Sequence, residues 1–494
     1  MAKLAGQLVE ALEGLLGVPV PLRVRVWDGS VAGPPGAPTV VLRNRRALRR
    51  VLWQPGELGL ARAYVAGDLE VAPGTDLYEV LSAVGRFAER PEIRTLALGP
   101  RDVLGAGGRR VLAAALRAGA LGPEPAPPRE EVSRARERLH SRNRDRAAIS
   151  HHYDVGNDFY GLVLGSSMVY SCAYWTPGAK SLEAAQEAKL DLICRKLGLR
   201  PGMRLLDVGC GWGSLLLHAA EHYGVVAVGV SISTEQVALA RARVEAAGLT
   251  DRVEVRLQDY REITDGPFDA ISSVGMAEHV GSEQYRIYAE GLYRLLAPGG
   301  RLLNHQIARR PDHPGEPHRT SPFIDRYVFP DGELSPVGST VARLEEAGFE
   351  VRDVESLREH YGLTLREWVA NLEAHWTEAV RLVGRGRARV WRLYMAASAL
   401  AFEQNRIGIN QVLAVRGTEG GSAGRPPPPA GGGGAAPPPP PARSGCCAPP
   451  PARRSCSPGS PPRPRPIRIW GIGRRSANLS VRQGPIAQTV RALP

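Results

Sequence analysis

Between Leu205 and Ser214 the chain reads LLDVGCGWGS: an apolar run ends in an acid, Asp207, and glycines stand at Gly209, Gly211 and Gly213. Glycine lets a backbone turn sharply and come close to a ligand, and a helix that starts just after it offers free N–H groups. An acid followed by glycines at every second position suits S-adenosylmethionine. A dinucleotide pyrophosphate would favour the wider G-x-G-x-x-G spacing, which is absent here. Two later clusters supply what else a nucleoside needs. In GVSISTEQ, Ser231 and Gln236 are polar partners for a ribose. In LQDY, the acceptors of Gln258 and Asp259 suit an adenine amino group, and Tyr260 offers a ring to stack on. Gln236 has an ordinary alternative as an exposed first-turn helix residue, and Asp259 as a helix N-cap. Their recurrence in order along the chain argues for one site.

Such residues need a scaffold that brings them to one edge. Strand patterns at 203–208, 225–230, 253–257, 268–274 and 300–307 alternate with helical patterns at 213–222, 234–247 and 283–296. This alternation predicts an α/β fold: a mostly parallel sheet with helices on both faces and its ligand beyond the carboxyl ends of the strands. Residues 1–121 form a separate α+β unit: an amphipathic N-terminal helix, strands in PLRVRVWDG and APTVVLR, then helices near 76–88 and 109–118. GPEPAPP opens a connecting stretch, 122–150, which continues as a charged helix and leads into HHYDVGNDFY.

The 494 residues carry a net charge of +13, but the distribution matters more than the sum. Residues 417–494 hold 11 Arg, no Lys and one acid, a charge of +10, so that only +3 is left on residues 1–416. The folded part is therefore a poor polyanion binder, no nucleic acid is expected as a partner, and an anionic membrane surface remains compatible. The tail, with RPPPPAGGGGAAPPPPP and SPGSPPRPRP, is expected to be disordered, because it cannot bury enough apolar surface. Two accounts of it stay open: a polyanion-binding segment and a shifted reading frame. Trp470 is its one ring for stacking on a base. Cys172, Cys194 and Cys210 have neither disulfide nor zinc spacing, which points to a reducing cytoplasm and no metal. No apolar run approaches the roughly 20 residues a membrane span needs.

Six motifs stand in fixed order: HYDVGNDFY (152–160), MVYSCAYW (168–175), DVGCGWGS, SVGMAEHVG (273–281), NHQI (304–307) and RYVFPDG (326–332). In this the chain resembles the cyclopropane-fatty-acyl-phospholipid synthases and mycolic acid cyclopropane synthases over residues 1 to about 416. The resemblance implies a Rossmann-like class I methyltransferase sheet spanning 151–416. It implies methylene transfer from S-adenosylmethionine to the cis double bond of an unsaturated phospholipid acyl chain, at the inner face of a membrane. It also implies a bound bicarbonate ion as base, caged by Cys172, Glu278, His305, the Ile307 backbone and Tyr361; Glu278 acting directly as base is the alternative. Tyr170 and Ser171 join the cofactor pocket, His152 and Tyr153 fold over it as a lid, and Tyr174 and Trp175 offer aromatic faces to a carbocation. The unit 1–121 is expected to serve lipid contact or dimerisation, with a homodimer anticipated. Rival readings are a methyl-branched or methylene fatty acid synthase and a catalytically silent lipid-binding protein.

Overall fold

The computed structural model describes residues 3–94, 105–132, 155–312, 321–330 and 332–421. Most of the charged helix expected within 129–149, the lid residues His152 and Tyr153, and the tail from 422 onward lie outside the described residues.

Two sheets organise the chain. The first is small, with strands β1 (Arg23–Arg25), β2 (Val31–Ala32), β3 (Thr39–Leu42) and β4 (Leu69–Val71) in the order β2-β1-β3-β4. The helices Leu4–Leu16, Arg45–Trp53, Glu57–Val65, Leu77–Ala88 and Ala106–Arg117 accompany it.

The second sheet has seven strands: β5 (Arg204–Val208), β6 (Val226–Ser231), β7 (Val253–Leu257), β8 (Phe268–Val274), β9 (Leu296–Arg309), β10 (Glu350–Ser356) and β11 (Ile407–Val415). Their order is β10-β11-β9-β8-β5-β6-β7. β5 to β9 run parallel, whereas β11 is antiparallel to both of its neighbours. Leu205, Leu206 and Val208 are fully buried, as a strand covered on both faces requires. The chain goes outward from β5 through β6 and β7 on one side, and through β8 and β9 on the other. This reversal opens a crevice at the carboxyl ends of β5 and β8.

The five expected strands are all present, and the fifth begins at Leu296 rather than at 300. β10 and β11 were not anticipated. β10 is an edge strand of alternating charged residues, EVRDVES, with no buried position. β11 has Gly, Asn and Gln in its first half, and follows a helical hairpin, Arg358–Ala374 and Trp376–Glu403.

The helix Leu182–Leu197 starts on Ser181, whose side chain accepts from Ala184 N at 3.2 Å, and stops at left-handed Gly198. It covers the β9 face that carries Leu303 and His305. Arginines join this sheet region to residues 1–121. Arg389 donates to Tyr64 O at 2.9 Å and pairs with Glu70, while Arg62 holds the connecting stretch through Glu131 at 2.7 Å and Glu124 at 3.1 Å.

Candidate active site

A cavity lies at the carboxyl ends of β5, β6, β7 and β8. Its floor is the glycine loop after β5. Gly209 N and Cys210 N both donate to Val230 O, at 2.9 and 3.0 Å, which turns the loop across β6. Gly209 has φ +79, and a Cβ there would stand 2.8 Å from Met276 Cγ. Gly211 has φ +55 and open space where a Cβ would be. Gly213 does not line the cavity; at φ +80 it turns the chain into the helix Ser214–Tyr223.

Asp207 is 3 % exposed, and its Oδ1 accepts from Ser272 Oγ at 2.7 Å. Burial pushes its carboxyl up to about 6, against the pull of Ser272 and of Lys189. Ser231 and Gln236 both line the cavity and hold each other, Ser231 Oγ donating to Gln236 Oε1 at 2.9 Å. Asp259 lines the next strand end as the cap of a short helical turn, accepting from Arg261 N at 3.0 Å and pairing with Arg261 Nη2 at 2.6 Å. Tyr260 stands beside it, edge-on to Tyr288 at 5.6 Å. Tyr170 and Ser171 close the opposite wall. Nine of the ten residues expected to hold the cofactor thus share one cavity, and Gly213 sits just behind it.

A second polar group lies beyond this cavity, where β8 ends and β9 continues. Past the last β8 pairing, Gly275 N donates to His305 O, and the next free strand amide, Ile307 N, donates to Glu278 Oε1 at 2.7 Å. Glu278 Oε2 is buried without a hydrogen-bond partner. So are both ring nitrogens of His305 and both side-chain amide atoms of Gln411, the residue opposite His305 on β11. Buried polar atoms are normally paired, so such a group marks a place built for a polar guest. Burial pushes the Glu278 carboxyl up to about 7 and the His305 imidazole down to about 3. His305 is therefore neutral at pH 7, with one donor and one acceptor nitrogen.

Cys172 and Tyr361 approach from the helical side. The Cys172 thiol donates to Ala173 O at 3.2 Å and Leu357 O at 3.6 Å, and Tyr361 N bonds the same Leu357 O at 3.1 Å. Burial holds the thiol well above its ordinary pKa, so it is no thiolate nucleophile. Glu278 and Ile307 therefore touch directly, Cys172 and Tyr361 meet through Leu357, and no hydrogen bond among the described residues joins the two pairs.

The expected aromatic residues are anchored, and further rings gather around Tyr170. Tyr174 and Trp175 are fastened to the helix Arg358–Ala374: Tyr174 stacks on His360 at 4.8 Å, and Trp175 Nε1 donates to Thr364 Oγ1 at 3.1 Å. The rings around Tyr170 are Trp368 at 5.3 Å, Tyr160 at 5.5 Å and Trp391 at 5.9 Å, and Tyr170 Oη lies 3.5 Å from Tyr394 Oη.

This arrangement has relatives. The family model described as mycolic acid cyclopropane synthetase matches residues 140–412. The chain belongs to this family. Within it, a probable fatty acid methyltransferase of Mycobacterium tuberculosis is 44 % identical over 406 residues, covering 80 % of this chain and 91 % of the relative. The cyclopropane-fatty-acyl-phospholipid synthase of Escherichia coli strain K12 is 40 % identical over 283 residues, covering 57 % and 71 % respectively. The crystal structure of mycolic acid cyclopropane synthase CmaA1 complexed with SAH and CTAB aligns with a TM-score of 0.52 at 35 % identity, over 55 % of this chain and 97 % of that one.

Within this family architecture, sequence reasoning missed Gln186, Lys189, Tyr394 and Gln411. The first two carried a signal: polar residues at core-facing positions of the helix pattern LEAAQEAKLDLICRKL. Gln411 carried none, because the strand holding it was not recognised.

Proposed function

We propose that this chain transfers a methylene unit from S-adenosylmethionine to the cis double bond of an acyl chain on a membrane phospholipid, closing a cyclopropane. The observation that supports this most is the buried, unpaired group of Glu278, His305 and Gln411 at the end of β9, one strand over from a glycine-floored cavity. Asp207, Gly209 and Gly211 would hold the donor from below, Ser231, Gln236, Asp259 and Tyr260 from the side, and Tyr170 and Ser171 from above. An alkene is a weak nucleophile, so alignment and exclusion of water carry much of the rate. Tyr170, Trp368 and Trp391 supply dry, electron-rich faces suited to a developing carbocation.

Bound bicarbonate would supply the base that removes a proton from the transferred carbon, and Glu278, His305, Tyr361, Cys172 and the Ile307 backbone would hold it. The unpaired atoms of Glu278 and His305 fit that guest. With a carboxyl near 7, Glu278 gains and releases a proton at neutral pH, while Ile307 N–H fixes one of its oxygens.

A phospholipid substrate suits the surface of residues 1–121. Leu52, Trp53, Leu112, Leu116 and Leu121 are exposed there, with Arg45, Arg46, Arg109, Arg110 and Arg117 exposed on the same helices. This unit holds 16 Lys and Arg against 11 Asp and Glu, whereas residues 122–416 hold 36 against 38. Exposed apolar side chains rimmed by arginine favour an anionic lipid surface, reached from the cytoplasmic side. Among the described residues no helix is long and apolar enough to cross a membrane.

A second reading, a methyl-branched or methylene product on the same chain, draws on the relative named as a probable fatty acid methyltransferase. Incubating the protein with S-adenosylmethionine and unsaturated phospholipid vesicles separates the two. Lipids heavier by one CH₂ with shielded ring protons in the NMR spectrum support cyclopropane closure. A vinylidene or branched-methyl signal selects the second reading, and unchanged lipids reject both.

A further inference from the structure

The segment from Leu164 to Cys172 passes between the two polar groups: Tyr170 and Ser171 face the cavity, and Cys172 faces away from it towards Leu357. It has no regular structure from Gly165 to Cys172, so something else must set its position. Ser214 Oγ and Arg243 Nη2 donate to Ser167 O, at 2.5 and 3.2 Å, and two side chains one helical turn apart on Leu182–Leu197 hold the rest. Gln186, fully buried, donates to Leu164 O at 3.0 Å and Val169 O at 3.3 Å and accepts from Ser167 Oγ at 2.6 Å. Lys189, 2 % exposed, donates to Ser171 Oγ at 2.9 Å and lines the cavity beside Asp207.

Gln186 pairs two carbonyls of the segment without any charge. A buried ammonium is a much costlier device, and one hydroxyl does not compensate its lost hydration. The balancing charge is the Asp207 carboxylate, which Lys189 favours in its ionised form. The lysine therefore holds the segment that roofs the cavity through Ser171, in the same cavity that Asp207 lines.

We propose that Lys189 is a positioning residue that fastens the 165–172 segment to the helix Leu182–Leu197, holding Tyr170 and Ser171 over the methyl donor through the bond from its ammonium to Ser171 Oγ. The titratable groups that face it are Asp207 on β5, Cys172 on the segment, His305 on β9, His218 on the helix Ser214–Tyr223 and Cys194 on its own helix. Of these, only Asp207 offers it a compensating negative charge at neutral pH. Burial brings the ammonium down to about 8, so the tie weakens as pH rises through that value.

The inference rests on the donor reading above, and its test has one arm that does not. Titration calorimetry with S-adenosylhomocysteine from pH 7 to 9 and deuterium uptake of the 165–175 peptide in the ligand-free full chain are measured together. In the wild type, affinity falls several-fold across the pH range. Lys189→Met binds about tenfold more weakly at pH 7, loses the pH step and exchanges faster across the segment. Lys189→Arg retains binding and moves the step beyond pH 9. Ser171→Ala, which keeps the lysine, exchanges faster and binds about threefold more weakly, with the step preserved; it decides the matter if Lys189→Met does not fold. Wild-type affinity and pH step in Lys189→Met, or unaltered exchange in Ser171→Ala, overturns the proposal. A wild type that does not bind S-adenosylhomocysteine refutes the donor reading instead, and the exchange arm still decides the tie.

Discussion

The cavity at the ends of β5 to β8 and the polar group at the end of β9 are built by opposite means. The cavity is mostly backbone: glycines that turn it, strand ends that open it, and side chains such as Ser231 with Gln236 and Asp259 with Arg261 that already satisfy one another. It can stand formed before any ligand arrives. Glu278, His305 and Gln411 come from distant parts of the chain and keep Glu278 Oε2, both His305 ring nitrogens and both Gln411 amide atoms unpaired in the interior. They store a desolvation cost that only a polar guest repays. A donor site of the first kind serves many acceptors, whereas a site of the second kind is specialised.

Substitutions on each side should separate these roles. The largest effect is expected from Glu278→Gln, which keeps an acceptor for Ile307 N–H but cannot exchange a proton. Turnover should fall about 100-fold or more while S-adenosylhomocysteine affinity stays within about twofold of wild type. Equal losses in both would erase the distinction. The same variant should gain stability. The folded carboxyl keeps its proton up to about 7 and the unfolded one only to 4.5, so wild-type stability drops as pH rises through that window. In denaturant titrations, Glu278→Gln should exceed wild type by up to about 3 kcal/mol at pH 8, with the difference shrinking towards pH 4.5. An advantage that does not vary with pH would show that desolvation of Glu278 is not its source.

Gly209→Ala reverses the pattern. Its Cβ meets Met276 at 2.8 Å in a left-handed backbone, so donor affinity should fall about tenfold, with turnover at saturation reduced much less. Calorimetry and saturation kinetics together measure the split. Stopping the chain after Gly421 removes none of the residues named in either region and should leave lipid product formation unchanged; a loss there would add the tail to the comparison.

The same contrast explains what could be read from sequence. Asp207, the three glycines, Ser231, Gln236, Asp259 and Tyr260 are near neighbours of strands whose apolar runs are unmistakable, so their shared edge follows from counting strands. Cys172, Glu278, His305, Ile307 and Tyr361 have no such local logic. They span nearly two hundred residues, and only the resemblance grouped them. Gln411 escaped because β11 is not apolar throughout, and the strand depends for its place on β9 and β10 rather than on its own pattern. For Tyr174 and Trp175 the aromatic type is legible in the sequence but not the tether, which His360 and Thr364 supply.

β11 has a consequence for how the molecule comes into being. It pairs with β9 over nine residues, from Ile407 against Arg309 to Val415 against Arg301, yet among the described residues it is the last strand synthesised. Until residue 415 leaves the ribosome, the donor loop can already be complete while β9 presents an open edge with His305 and Ile307 on it. For that interval the nascent chain carries a finished nucleotide-type fold beside a row of unpaired strand amides, the feature through which unrelated chains stick together. Nascent chains stalled before Ile407 should therefore be the ones that chaperones hold, and the closing strand both completes the enzyme and shields it from its neighbours.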